Sequence, residues 1–245
     1  MATRVRSFAK INLGLAVGPA RADGFHGLTT MYQTLGLHDF VTVSAKASAE
    51  TRITLTADHV GVPRSLAGNA EKNTAYVMVA GALARMGVTA EVTIDIAKRL
   101  PVQGGMGAGS ANAVAALLGL ERELGKALPG AERLKLAAEV GSDVPLFLVG
   151  GTVLGLGRGE EVFPLPDLPV THCVVAIPRV GVSTKLAFAE LDKRVVAGKD
   201  PDLQVREIGG TQIGGSMLTF AQGGDRLREL SRVLAAVWSM DGAES

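Results

Sequence analysis

Residues 98–112 read KRLPVQGGMGAGSAN, with glycines at positions 104, 105, 107 and 109. Before this stretch, Val92, Ile94 and Ile96 alternate with polar residues as in a half-buried strand, and after it an Ala- and Leu-rich run over 111–124 predicts a helix. Glycine permits backbone conformations closed to other residues and lets main-chain N–H groups approach a ligand. Because the first N–H groups of a helix are unpaired and carry the positive end of its dipole, this loop predicts a phosphate-binding site.

The glycine spacing excludes two common nucleotide-binding loops. A dinucleotide fingerprint started at Gly105 or Gly107 would require its third glycine at the positions of Ser110 or Asn112. A Walker A loop requires a lysine after its last glycine, where this chain has Ser110. Two interpretations of Ser110 stay open, because it could cap a helix that follows an ordinary flexible turn or could contact a phosphate.

The rest of the chain mixes strands and helices without strict alternation, which favours an α+β fold. A helix is predicted from Asn73 to Met86, where Gly87 supplies the stop signal. Residues 198–215 carry many chain breakers and predict a long loop or a domain seam. Other strands are predicted at 4–9, 11–17, 41–43, 53–55, 152–154 and 171–177, and other helices at 131–140, 184–196 and 225–238.

The composition is that of an ordinary globular protein and argues against several classes of function. Apolar residues make up 47% of the 245 residues and charged residues 20%, so a packed core is expected. A formal net charge of +1 and scattered Lys and Arg residues argue against nucleic acid as a partner. The single Cys173 cannot form an internal disulfide, and no apolar run reaches the roughly 18 residues needed to cross a bilayer. We expect a soluble, cytoplasmic protein that binds neither nucleic acid nor membranes.

Several separated motifs resemble those of one kinase family. The loop Pro101-x-x-x-Gly105-x-Gly107-x-Gly109-Ser110 resembles the phosphate loop of the GHMP kinases, named for galactokinase, homoserine kinase, mevalonate kinase and phosphomevalonate kinase. The resemblance narrows to the 4-diphosphocytidyl-2-C-methyl-D-erythritol kinases of that family. It rests on the segments AKINL at 9–13, RADGFH at 21–26, GSDVP at 141–145, GGTVLGLGRGE at 150–160 and VSTKLAF at 182–188. The likeness covers roughly residues 4–192.

This resemblance implies a two-lobed α+β fold. An N-terminal lobe similar to domain 2 of ribosomal protein S5 would take residues 1–150, and a C-terminal α/β sandwich lobe would take residues 151–245. The second lobe looks shortened relative to the family, and Gly214-Gly215-Ser216-Met217-Leu218 is a loose match to the family's third glycine motif. A monomer or weak homodimer is expected.

The resemblance also implies a reaction. ATP would phosphorylate the 2-hydroxyl of 4-diphosphocytidyl-2-C-methyl-D-erythritol, an isoprenoid precursor of the methylerythritol phosphate pathway, giving the 2-phosphate and ADP. Mg²⁺ is expected with the nucleotide, because it neutralises the bridging phosphate oxygens. The sequence shows no compact acidic ligand set, so no metal-binding residue is assigned.

The family pattern assigns the catalytic roles to Lys10 and Asp143. Asp143 would accept the proton of the substrate hydroxyl. Lys10 would orient that hydroxyl, keep the aspartate anionic and attract the γ-phosphate. Taken alone, an aspartate after a helix is more often a cap and a strand lysine more often a surface residue, so both roles depend on the flanking motifs.

The remaining site residues are also implied by the family pattern. On the substrate side, Asn12 would hold the diol, while Phe25 and His26 would stack on and hydrogen-bond the cytosine ring. Tyrosine is more usual at position 25, and phenylalanine keeps the stacking surface but lacks the hydroxyl. Further substrate contacts would come from Thr184 and Phe188.

On the nucleotide side, the resemblance implies that Asn73 and Lys98 contact the adenosine part of ATP. Asn73 is also an ordinary N-cap for the helix that follows it. Ala111 replaces the second serine that is common in the family. The residues implied around the phosphates are Pro101, Gly104, Gly105, Gly107, Gly109 and Ser110.

Two other functions stay open at this point. A different GHMP kinase would act on another alcohol such as mevalonate or homoserine, which the segment Asp23-Gly24-Phe25-His26 argues against. A nucleotide-binding protein with an incomplete second lobe would bind ATP without transferring phosphate. The presence of both Lys10 and Asp143 argues against that alternative.

Overall fold

The computed structural model describes residues 1–20, 26–102 and 104–176. Within these residues, the strands are β1 (Thr3–Ala20), β2 (His26–Ala47), β3 (Arg52–Ala57), β4 (Ala90–Ala97), β5 (Thr152–Leu156) and β6 (Glu161–Pro164). The helices are α1 (Thr74–Met86), α2 (Ala108–Leu124), α3 (Gly130–Val140) and α4 (Leu146–Val149), and two short 3-10 turns, Ser65–Ala67 and Ala70–Lys72, precede α1.

Several sequence predictions lie outside the described residues. Among them are the helices at 184–196 and 225–238, the loop at 198–215 and the glycine motif at 214–218. The same holds for three predicted substrate contacts, Phe25, Thr184 and Phe188.

The described strands form one mixed sheet built around β2. Its order is β3-β4-β2-β5-β6, and β1 pairs with β2 along the other edge of that strand. The 22 residues of β2 are enough to pair with β5 through Thr30–Gln33 and with β4 through Phe40–Ala47. β3 and β4 are parallel and are connected through α1, whereas the other pairs are antiparallel. This mixture of pairings agrees with the predicted α+β class.

Strand β1 joins the two strands predicted at 4–9 and 11–17. Its pairing register with β2 shifts between Phe8 and Lys10 and again between Asn12 and Gly14, so the chain bulges at both places. A bulge interrupts the alternation of inward and outward side chains. As a result the neighbours Ala9 and Lys10 are both buried, with 0% and 6% of their surface exposed.

The main core lies between the sheet and helices α1 and α2. In β4, Val92, Ile94 and Ile96 are buried while the residues between them are exposed, as the period-2 pattern predicts. Helix α2 packs closely on the sheet, because a Cβ atom at Gly119 would lie 2.8 Å from Cγ2 of Val43.

Two helix starts can be compared with the sequence prediction. Helix α1 begins as predicted, with Asn73 as its N-cap, and ends at Gly87 in the left-handed conformation. Helix α2 begins at Ala108, about three residues before the prediction, because Gly107 adopts a φ of 66° and ends the loop there. Ser110 therefore lies in the first turn of α2 and is not its cap.

The strand predicted at 171–177 is not observed over its described part. Residues 165–176 have no regular secondary structure, and Cys173 is exposed. An isolated apolar run becomes a strand only by pairing, and among the described residues no strand pairs with it. The sequence also missed α4 and β6, which at four residues each are too short to show a periodic pattern.

Strands β5 and β6 follow residue 150 but belong to the same sheet as β2. The lobe boundary predicted there stays a prediction. Among the helices of the described part of the chain, none combines the length and apolarity required to span a bilayer.

Candidate active site

The bulged strand β1 brings Lys10 to Asp143, which lies in the turn between α3 and α4. Lys10 Nζ and Asp143 Oδ2 are 3.3 Å apart, with 7% of the lysine side chain and 34% of the aspartate side chain exposed. A buried lysine normally requires an anionic partner. The pair therefore combines a cation held inside the protein with a carboxylate that solvent or a substrate can reach.

A chain of hydrogen bonds fixes the lysine from its own strand. Lys10 Nζ donates to Asn12 Oδ1 at 2.7 Å, and Asn12 Nδ2 donates to Thr30 Oγ1 at 2.7 Å. The Thr30 hydroxyl in turn donates to the carbonyl of Gly14 at 2.8 Å. The amide of Asn12 thus orients the ammonium group of Lys10. Its predicted contact with the substrate diol stays a prediction.

The second oxygen of Asp143 accepts a hydrogen bond from a tyrosine that the sequence analysis did not identify. Tyr32 Oη donates to Asp143 Oδ1 at 3.1 Å, and Tyr32 is 1% exposed. Burial, followed by the charge of Asp143 and the hydrogen bond to it, raises the pKa of Tyr32 above its ordinary value of 10.0. The phenol therefore stays protonated and remains a donor.

The glycine loop lies directly against Lys10. The backbone N–H of Lys10 donates to the carbonyl of Met106 at 3.0 Å. A Cβ atom at Gly107 would lie 3.0 Å from Lys10 Cγ and 2.8 Å from Phe147 Cζ. Only glycine leaves space for this approach, and Gly105 and Gly107 also have φ values of 70° and 66° that favour glycine.

Helix α2 begins immediately after this loop. Its first N–H groups, at Ala108, Gly109 and Ser110, have no acceptor inside the helix. Thr74 Oγ1 donates to the carbonyl of Gly109 at 2.6 Å, which ties this turn to the start of α1. The helix terminus and the Lys10 ammonium group together form a site suited to the phosphates of a nucleotide.

The beginning of the loop is anchored by a buried aspartate that the sequence analysis also missed. Asp39 is fully buried, and its Oδ1 accepts hydrogen bonds from the backbone N–H groups of Arg99 at 2.7 Å and Leu100 at 2.8 Å. Its Oδ2 forms an ion pair with Lys98 Nζ, and 5% of the Lys98 side chain is exposed. The ammonium group of Lys98, which the family pattern assigns to adenosine contact, is therefore paired with a carboxylate inside the protein.

Asn73 is also occupied by protein groups. Its side-chain oxygen accepts from the N–H of Ala75 at 2.9 Å, and its side-chain nitrogen donates to the carbonyl of Pro63 at 3.1 Å. The capping role predicted from the sequence is confirmed. Contacts of Asn73 and Lys98 with adenosine stay predictions.

His26 lies at the first position of β2. A carbonyl oxygen can only accept, so the 2.9 Å contact between His26 Nδ1 and the Gly18 carbonyl places a hydrogen on Nδ1. In the neutral ring, Nε2 is then an acceptor. The predicted contact of His26 with the cytosine ring stays a prediction.

A comparison with known families identifies the part of the chain that holds the loop. The model of the GHMP kinases N terminal domain matches residues 73–151, from the cap of α1 to the glycines before β5. Residues 73–151 are therefore similar to the N-terminal domain of the GHMP kinases. The resemblance predicted from the sequence motifs is thereby confirmed.

Curated relatives are similar to a longer part of the chain than this family model. The 4-diphosphocytidyl-2-C-methyl-D-erythritol kinase of Solibacter usitatus is 38% identical over 204 residues, which are 83% of this chain and 62% of that protein. The enzyme of the same name from Nocardia farcinica is 43% identical over 199 residues, 81% of this chain and 63% of that protein. The chain spans about three fifths of the length of these curated relatives.

The fold has a counterpart among solved structures. A crystal structure of 4-(cytidine 5'-diphospho)-2C-methyl-D-erythritol kinase matches with a TM-score of 0.54 at 30% identity, over 68% of this chain and 56% of that chain. The α+β GHMP kinase fold predicted from the sequence is confirmed.

Asp39 and Tyr32, the two site residues that sequence reasoning missed, differ in how they could have been found. Asp39 has the same parity along β2 as the buried Val41 and Val43, so strand periodicity alone places it on the buried face. Tyr32 falls in a stretch for which no strand was predicted. Its position beside Asp143 depends on the pairing of β2 with β5. No pattern in the sequence indicates that pairing.

Proposed function

We propose that this chain is an ATP-dependent kinase that phosphorylates the 2-hydroxyl of 4-diphosphocytidyl-2-C-methyl-D-erythritol. The observation that carries the proposal is the ion pair of Lys10 and Asp143, packed against Gly107 at the N-terminus of α2. The names of the relatives support the choice of substrate.

Asp143 acts as the general base in this reaction. As the substrate oxygen bonds to the γ-phosphorus, its proton passes to the Asp143 carboxylate, and the bond from that phosphorus to the bridging oxygen of ADP breaks. Lys10 lies within ion-pair distance of this carboxylate, orients the substrate hydroxyl and attracts the negatively charged γ-phosphate. Its hydrogen bond to Asn12 holds the ammonium group in place during the transfer.

The nucleotide occupies the phosphate loop. Gly104, Gly105, Gly107 and Gly109 allow close approach of the backbone, while Pro101 packs against Gly104 and Ser110 lies in the first turn of α2. These residues fit a chain of phosphates because they combine exposed glycine backbone with a helix N-terminus. Asn73 at the start of α1 and Lys98 directly after β4 are assigned to the adenosine side.

Magnesium has no assigned protein ligand. Among the described residues, no group of three or more His, Cys, Asp or Glu side chains is arranged to hold a metal ion. We propose that Mg²⁺ enters with ATP, and no step of the mechanism is assigned to it.

The cytidine end of the substrate lies toward His26. Strand β2 connects His26 with Tyr32 beside the catalytic pair, a distance of six residues or roughly 20 Å of extended chain. This separation suits a long substrate with a base at one end and the reacting alcohol at the other. Phe25, Thr184 and Phe188 complete the proposed substrate side, with Asn12 next to the alcohol.

The division into lobes, the cellular location and the oligomeric state are part of the same proposal. Residues 1–150 would form the N-terminal lobe and residues 151–245 a shortened C-terminal lobe. The enzyme would act in the cytoplasm on a small molecule, as a monomer or weak homodimer.

The direct test measures the product. The purified chain is incubated with Mg²⁺, isotopically labelled ATP and the cytidylated methylerythritol, and the small molecules are analysed by mass spectrometry. We expect one labelled phosphate on the substrate with the wild type and far less labelled product with Asp143→Asn in the same time. Mevalonate and homoserine serve as comparison acceptors, and cytidine diphosphate as a competitor. Transfer to one of these other alcohols, or ATP binding with no transfer at all, would contradict the proposal.

A further inference from the structure

Tyr32 is a buried phenol whose hydroxyl points at the catalytic carboxylate. Its ring lies in a small apolar cluster with Leu146 and Val153, so the body of the side chain is held by packing. Its hydroxyl reaches Asp143 Oδ1 at 3.1 Å. A buried tyrosine hydroxyl requires a hydrogen-bond partner, and here that partner is the group that must accept a proton.

Two glycines of the segment 150–160 make the space for this tyrosine. A Cβ atom at Gly155 would lie 2.5 Å from Cε2 of Tyr32, and a Cβ atom at Gly159 would overlap its hydroxyl oxygen. Gly159 also has a φ of 102°, a conformation that other residues rarely adopt. The glycine-rich hairpin of β5 and β6 therefore shapes a slot that fixes the direction of the Tyr32 hydroxyl.

Asp143 is consequently held at both oxygens. Lys10 from β1 contacts Oδ2 and Tyr32 from β2 donates to Oδ1, while the Lys10 ammonium lies 5.3 Å from the centre of the Tyr32 ring. Glu160 and Arg158, which pair with each other at 3.0 Å, are the charged residues of the hairpin turn on this side. Two contacts from different strands determine the plane of the carboxylate, which one contact alone would leave free to rotate.

We propose that Tyr32, seated against Gly155 and Gly159, is a positioning residue that orients the Asp143 carboxylate toward the substrate hydroxyl. This inference rests on the proposed function, because it takes Asp143 as the base. Tyr32 itself transfers no proton. Burial and the neighbouring carboxylate raise its pKa, so it remains a neutral donor throughout the reaction.

The first test is Tyr32→Phe, which removes the hydroxyl and keeps the ring in its slot. Asp143 is 34% exposed, so water can replace the lost donor and the fold should be retained. We expect kcat to fall about tenfold, as for loss of a hydrogen bond to a charged group, with the KM for ATP unchanged. A donor to the carboxylate favours its anionic form, so the acid limb of the kcat profile should move to higher pH in the variant.

The second test does not depend on turnover. The side-chain carboxyl carbon of Asp143, assigned by comparison with Asp143→Asn, is titrated by carbon-13 NMR in the wild type and in Tyr32→Phe. We expect the midpoint to rise in the variant. Gly155→Ala is a second variant, which keeps the Tyr32 hydroxyl but displaces the ring. It should also lower kcat.

Tyr76→Phe is the matched control, because Tyr76 lies in α1 on the main core. It should leave kcat, the acid limb and the Asp143 titration unchanged. A fall in kcat for Tyr32→Phe with an unmoved acid limb and an unmoved titration would overturn the inference, as would full activity in that variant. The wild type could phosphorylate no alcohol while the titration midpoint of Asp143 still differs between the wild type and Tyr32→Phe. In that case the proposed function fails, but the coupling of Tyr32 to Asp143 stands.

Discussion

The backbone N–H of Lys10 donates to the backbone carbonyl of Met106 at 3.0 Å. The strand that carries the proposed catalytic lysine is thus hydrogen-bonded to the loop that we propose holds the phosphates. Because main-chain atoms make this contact, the distance between the ammonium group and the loop does not depend on flexible side chains alone. The proposed catalytic pair and the proposed nucleotide site are therefore joined by a main-chain hydrogen bond.

Replacing Asp143, the proposed base, should slow phosphate transfer without weakening the binding of ATP. In Asp143→Asn, the amide oxygen can still accept from Tyr32 or Lys10, so the fold should be retained, but the group no longer takes up a proton. We expect kcat to fall by about 10² to 10⁴, with the Kd for ATP within about twofold of the wild type. Steady-state kinetics and calorimetry measure the two quantities. Asp95→Asn, at an exposed position, is the control, and normal turnover by a folded Asp143→Asn would exclude this role.

The phosphate loop offers a matched pair of glycine substitutions. Gly105→Ala meets no protein atom within 4 Å, so within the protein it adds only the strain of a left-handed alanine, about 1 kcal/mol. Gly107→Ala adds the same strain and also collides with Phe147 and Lys10. We expect the second variant to lose at least tenfold more kcat/KM for ATP than the first. Equal effects would show that contact between the loop and Lys10 is unimportant for turnover.

The buried ion pair of Asp39 and Lys98, at the start of the glycine loop, should stabilise the folded protein. Asp39→Asn leaves the Lys98 charge buried without its anion, and breaking such a pair typically lowers the free energy of unfolding by about 3 to 5 kcal/mol. Urea denaturation measures this loss, and Asp95→Asn should change the value by less than about 0.5 kcal/mol. Adding Lys98→Met to the Asp39 variant should restore part of the stability. No restoration would mean that the hydrogen bonds to Arg99 and Leu100 dominate.

Substitutions at Asn73 separate its capping role from the proposed contact with adenosine. Asn73→Ala removes the acceptor for the Ala75 N–H and should lower the free energy of unfolding by about 1 kcal/mol, or the Tm by about 2 to 4 °C. Asn73→Ser keeps an acceptor and should recover most of this loss. If the serine variant is stable but binds ATP more weakly, the adenosine contact is supported. Unchanged ATP binding in both variants would contradict that contact.

The raised pKa of Tyr32 predicts a loss of stability in alkali. Below its ordinary pKa of 10.0 the phenol is protonated in both folded and unfolded chains. Its contribution to the free energy of unfolding is therefore fully present at those pH values. Above that pH the unfolded chain releases the proton while the folded chain keeps it, and stability falls by up to about 1.4 kcal/mol per pH unit. Urea unfolding of the wild type and of Tyr32→Phe from pH 9 to 11 measures the difference. The same slope in both proteins would mean that Tyr32 is not the source.

Local rules of helix and loop chemistry account for much of what could be predicted from the sequence. The limits of α1 follow from Asn73 and Gly87, because capping and left-handed termination involve neighbouring residues. The glycine loop before α2 was recognised for the same reason. The start of α2 was misplaced because the left-handed conformation of Gly107, rather than a serine side chain, begins that helix.

The roles of Lys10 and Asp143 could be proposed only through family motifs, since neither residue by itself indicates chemistry. The structure brings the two side chains together through the bulge in β1 and the turn after α3. Asp39 could have been found from the parity of Val41 and Val43, but its partner Lys98 could not. That ion pair joins residues 59 positions apart in the chain.

By itself the sequence determined the class of fold, the position of the glycine loop and the resemblance to the GHMP kinases, because each depends on short patterns of residues that lie close together in the chain. Only the tertiary structure decided that Tyr32 and Lys10 hold opposite oxygens of Asp143 and that Lys98 is buried against Asp39. These contacts join residues far apart in the chain, and bulges and strand pairing set their directions. Such long-range geometry leaves no pattern in the local order of residues.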